Sequence, residues 1–150
     1  MLSSKTAAER IKAKADILME TDKYNMAINY YNSILSKSIN TDLPERFYGD
    51  VYNNLGVAYA RLFEYDQAAT AFRCAYRLNA SAESLESIIM CDLITDNEKR
   101  LKMDKDKYGV SDTVINRIKT EIISLMLKLK QVGTKNRKIN ICSSARKNIL

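Results

Sequence analysis

Tyr52–Phe72, YNNLGVAYARLFEYDQAATAF, decides how the rest of the chain is read. Leu55, Gly56 and Tyr59 fall at three- and four-residue steps, as do Ala68, Phe72 and Ala75. Both runs have helical period. Phe63 to Asp66 leaves room only for a tight connector between them. The small residues Gly56, Ala68 and Ala75 allow two helices to approach to about 8–10 Å, with Tyr59, Tyr65 and Phe72 filling the space around them. The stretch is therefore a helical hairpin whose spacings specify packing.

The same grammar recurs upstream. Thr6 and Glu9 have capping-box spacing and open a first helix reaching about Met19. A second helix follows from about Lys23 to Lys37, with Tyr24, Ala27, Ile28, Tyr31, Ile34 and Leu35 on one face. Asp42 is expected to cap the third helix, with Pro44 and Glu45 in its first turn and its end near Leu62. The fourth runs from about Tyr65 to Leu78. In one frame Ile11, Ala15, Leu18, Tyr24, Ala27, Tyr31 and Ile34 match the second hairpin's positions, giving repeats over Ala8–Thr41 and Gly49–Ala82. A degenerate third unit starts at Glu83 and places Met90 at the small-residue position and Leu93 at the tyrosine position. Thr95 and Glu98, again at capping-box spacing, open a short charged helix over Asn97–Lys105. Ile115, Ile118, Ile122, Leu125, Leu129 and Val132 then form a stripe on a helix over Asp112–Val132, about 30 Å long.

The series Tyr52, Leu55, Gly56, Tyr59, Ala68, Phe72, Ala75 resembles the tetratricopeptide repeat family, with Tyr52 for the usual Trp and Ala80 for the usual helix-ending proline. The resemblance implies an all-α, right-handed α-α superhelix, a solenoid of two clear hairpins, a degenerate third and a long C-terminal capping helix. It also implies a non-catalytic module that binds a peptide or helix in a concave groove lined by the first helix of each repeat. In frame, that groove takes Lys12, Asp16 and Glu20, then Asn53, Asn54, Val57 and Arg61, then Ser87 and Cys91. Asn53 and Asn54 stand out, because amides on a rigid helix can hydrogen-bond a partner's backbone whatever its side chains. A family clamp for C-terminal carboxylates is not expected. Lys12 and Asn54 fit it, but Asp16, Ser84 and Ile88 do not, and Asp16 repels a carboxylate.

Composition limits the alternatives. With 150 residues, four glycines and one proline, the chain suits one helical domain over residues 1–132. Residues 133–150 hold five Lys or Arg and no acid, whereas the remainder carries 19 basic and 18 acidic residues, so the net charge of +6 sits mainly in this tail. The tail is read as solvated and flexible. It also supports the competing function, nucleic-acid association with the helical body as a dimeric platform, although it has no aromatic to stack on a base. Nucleic acid is not the expected partner. The heptad stripe has two uses, capping the stack or pairing with a second copy. Three scattered cysteines and the absence of histidine give no metal site, no phosphate-binding glycine loop is present, and no cofactor or catalytic residue is assigned. No membrane span or signal segment is evident, and a cytoplasmic location is expected.

Overall fold

The computed structural model describes residues 5–36 and 42–131. These contain seven helices: α1 (Ala7–Glu20), α2 (Tyr24–Leu35), α3 (Glu45–Arg61), α4 (Tyr65–Leu78), α5 (Ala82–Ile94), α6 (Glu98–Tyr108) and α7 (Asp112–Gln131). No strand occurs among the described residues. Helices α1 to α6 pack with their chain neighbours into three successive hairpins. Helix α2 ends at Leu35, short of the expected Lys37, which lies with Val132 and the basic tail outside the described residues.

Local chemistry explains where the helices begin. The Thr6 hydroxyl accepts from the Glu9 amide at 3.2 Å while the Glu9 carboxylate accepts from the Thr6 amide at 2.7 Å, the reciprocal box expected for α1. At α3 the expectation is corrected. Pro44, not Asp42, is the N-cap, and no side chain caps this end. Proline's fixed φ suits the entry, and its missing amide removes one unsatisfied donor. At α6 Asn97 is the cap, accepting from the Arg100 amide at 3.1 Å, while Thr95 closes α5 instead and donates its hydroxyl to the Cys91 carbonyl at 2.9 Å.

The three hairpin turns share one construction. Asp22, Phe63 and Asp96 each adopt left-handed backbone, at φ 58°, 62° and 53°. The following amides of Lys23, Glu64 and Asn97 donate to the carbonyls of Leu18, Tyr59 and Asp92 at 2.9, 2.9 and 3.1 Å. This is the Schellman termination, which satisfies carbonyls that a helix end leaves free. Left-handed backbone costs a non-glycine residue roughly 1–2 kcal/mol, so its use in all three turns indicates that the surrounding packing imposes it.

That equivalence corrects the frame of the third unit. Leu18, Tyr59 and Asp92 occupy one repeat position, so the unit starts at Ala82, one residue earlier than the apolar pattern implied. Ile89 then falls at the small-residue position of Ala15 and Gly56, and Lys105 at the ring position of Tyr31 and Phe72.

Two apolar clusters run through the stack. One joins α1, α2 and α3 around Ala15, Ala27, Tyr31, Val51 and Leu55, and extends to Ala71. The other joins α3 and α4 to α5 and α7 around Phe72, Ile88, Ile89 and Met90. Ile115, Ile118, Ile122 and Leu125 of α7 are buried in it, and α7 packs on α5. The stripe that could have paired two copies is thus largely used within the chain, with Leu129 half-buried.

Candidate groove of the first two repeats

The turns align Lys12 with Asn53 and Glu86, Asp16 with Val57 and Met90, and Glu20 with Arg61 and Ile94. On α1 and α3 these side chains reach solvent: Glu20 is exposed, and Lys12, Asp16, Asn53, Asn54, Val57 and Arg61 are half-buried.

Asp16 organises one end of this face. Its Oδ2 accepts from Lys12 Nζ at 2.8 Å, and its Oδ1 accepts from the Tyr31 hydroxyl at 2.6 Å and from Asn54 Nδ2 at 3.1 Å. Three helices therefore meet on one carboxylate. Burial first, and then the hydrogen bond to Asp16, push the Tyr31 hydroxyl up, so it remains a donor. The residues that matched two clamp positions, Lys12 and Asn54, are both bound to an acid, which opposes capture of a carboxylate there. In the corrected frame the third-repeat clamp positions are Glu83 and Ser87, and neither supplies a cation.

At the other end Arg61 lies over the Tyr24 ring, 5.8 Å from its centroid, a cation–π contact between repeats. Arg61, Tyr24, Val57, Glu20, Met19 and Asp22 line a recess of about 290 Å³. The buried Oδ1 of Asn53 has no hydrogen-bond partner. Asn53 borders a smaller recess of about 90 Å³ with Asp50, Asn79 and Glu83.

Ser87 and Cys91 do not belong to this face. They are 0% and 1% exposed, buried where α4, α6 and α7 surround α5. The cause is the one-residue frame error: the positions equivalent to Asn53 and Val57 are Glu86 and Met90. These are engaged as well, Glu86 by an ion pair to Arg117 of α7 and Met90 by complete burial. The accessible face therefore comprises α1 and α3.

A larger cleft of about 840 Å³ lies elsewhere, along α3, α4 and α6, bordered by Tyr52, Tyr59, Thr70, Cys74, Arg100 and Met103. Sequence reading missed it. The available signal was the loss of the alanine and ring positions in α6, which hold Leu101 and Lys105.

Residues 49–81 match the family model described as Tetratricopeptide repeat. The described residues thus form an all-α solenoid of tetratricopeptide-like helical hairpins, with α3 and α4 as the matched repeat. Such repeats generally mediate protein–protein interaction. No curated protein matches the chain. Among the described residues no helix is long and apolar enough to cross a membrane.

Proposed function

We propose that the protein is a non-catalytic binding module whose α1–α3 face holds a peptide or helix of a protein partner. The observation that carries this reading is the contrast along the stack: groove positions on α1 and α3 are partly accessible and pre-ordered through Asp16, while those on α5 are covered. Pre-ordering reduces the side-chain entropy lost on binding. Asn53, Asn54, Val57 and Arg61 form one wall, and Lys12, Asp16 and Glu20 the other. So short a face suits modest affinity. Residues 1–132 act as one folded unit with the basic tail outside it, and three widely spaced cysteines without a CxxC pair fit a reducing, cytoplasmic setting.

The test is a pull-down from source lysate with wild type beside an Asn53, Asn54, Arg61 triple alanine variant, with thermal melts of both. Loss of specific partners by a variant that remains folded is expected. Identical partner sets would refute the groove assignment.

A further inference from the structure

The junction between the second and third hairpins contains a cluster of charge that the binding face does not use. Arg73 of α4 donates from Nε to Asp104 Oδ1 at 3.2 Å and from its Nη2 to Asp104 Oδ2, and the same Nη2 donates to Asp92 Oδ1 at 3.2 Å. One guanidinium thus bridges two carboxyls from two other helices. Asp92 is 1% exposed and Asp104 5% exposed, so water does little to separate their charges. The second oxygen of Asp92 is buried without a partner.

Two ionised carboxylates against one cation would leave a net buried negative charge, which is unfavourable. A proton on Asp92 removes it, and the acid can then act as a donor to Asp104. We propose that Arg73, Asp92 and Asp104 form a proton-dependent latch fastening the third hairpin to the second, closed while the acid pair keeps one proton and loosened when that proton leaves to solvent.

The repeat frame supports this reading. The first two repeats place Leu18 and Tyr59 where the third places Asp92, so a buried carboxyl stands at a position otherwise filled by an apolar or aromatic side chain. Burial and the neighbouring Asp104 favour a shared proton, and they outweigh Arg73 and Arg100, which oppose it. Burial, and then the hydrogen bond with Asp104, push Asp92 up to about 7. Burial also opposes ionisation of Asp104, but hydrogen bonds from Arg73 and Asp92 outweigh it and hold that carboxyl below the usual carboxylate range. The other groups acting on the cluster are Arg100 and Tyr108, both of α6. From α7, also packed on α5, Arg117 turns to Glu86.

The direction follows from linkage. An acid whose folded value is raised stabilises the closed state below its unfolded value, and that contribution is lost as pH rises toward and through about 7. Asp104, shifted the other way, acts only below the usual carboxylate range. The latch therefore weakens across mildly acidic to neutral pH.

Amide hydrogen exchange on the full chain, corrected for the intrinsic pH dependence of exchange, tests it. Opening of α6 is expected to rise roughly tenfold or more between about pH 5 and pH 8, with α1 and α2 much less affected. Asp92→Asn, which mimics the protonated acid, should flatten the α6 profile. A flat wild-type profile, or the same slope in the variant, would overturn the latch. If the variant does not fold, carbon NMR of the wild-type carboxyls decides: an Asp92 midpoint near neutrality supports it, and one in the ordinary carboxylate range overturns it.

Discussion

The second and third hairpins share a turn but not the pattern of residues that packs their two helices together. In the second, Gly56 lets α3 approach α4 so closely that a Cβ added there would come within 2.7 Å of the Phe72 ring. In the third, Ile89 takes the glycine position and Lys105 the ring position. Bulk moves from the second helix to the first, and α6 contributes few side chains to the apolar cluster. The difference shows that the turn and the packing code are separable. A hairpin can keep the Schellman termination while holding its second helix through charge, here Arg73 with Asp104.

The largest effect should come from removing the ring that defines the second hairpin. Phe72→Ala leaves a cavity at a fully buried site and should cost about 3–5 kcal/mol in chemical denaturation. Lys105→Ala, at the equivalent position of the third hairpin, should cost far less, since its ion pair with Asp112 is solvated. Equal costs would show that the two hairpins pack alike after all.

An intermediate effect tests the same contact from the other side. Gly56→Leu adds bulk where the Phe72 ring already stands, and should cost about 1–3 kcal/mol after the ring and α3 shift. An unchanged thermal midpoint would mean that close approach of α3 and α4 is not what holds this hairpin. The third hairpin already carries Ile89 at this position, so it shows the alternative solution within the same chain.

The same contrast explains what could be read from sequence. Tyr52 to Ala75 was legible because glycine, alanine and ring positions constrain one another, and α4 begins and ends at Tyr65 and Leu78 as expected. The capping box at Thr6 and Glu9 was legible because it is local. The third unit was misframed because α5 is apolar on several sides: Ile88, Ile89, Met90 and Cys91 are all buried, so periodicity does not choose a face. Only the turn at Asp96 fixes the register. With the frame one residue late, Ser87 and Cys91 took the places of Glu86 and Met90, and Asp92 passed unnoticed at a tyrosine position. Burial of a charge depends on partners from distant segments, Arg73 and Asp104, which no local pattern announces. On α1 and α3 the turns keep the frame read from the sequence, though the bonds tying Lys12 and Asn54 to Asp16 required the third dimension.

The smallest expected effect separates the hairpins at the start of their second helices. Lys23, Glu64 and Asn97 hold the same position after the turn, yet only Asn97 makes a side-chain cap bond. Helices α2 and α4 can forgo that bond because Tyr31 and Phe72 anchor them in the core. Helix α6 has Lys105 instead of a ring at that position, its one packed ring being Tyr108 at its last turn, and depends more on local terms. Asn97→Ala should therefore cost about 0.5–1 kcal/mol, the low part of the N-cap range because the site is exposed, whereas Glu64→Ala should change stability by no more than about 0.5 kcal/mol. Hydrogen exchange of the first-turn amides of α6 and α4 resolves the two. Faster exchange in α6 alone on Asn97→Ala supports a capped, weakly packed helix, and equal responses would place the anchoring of α6 in its packing instead.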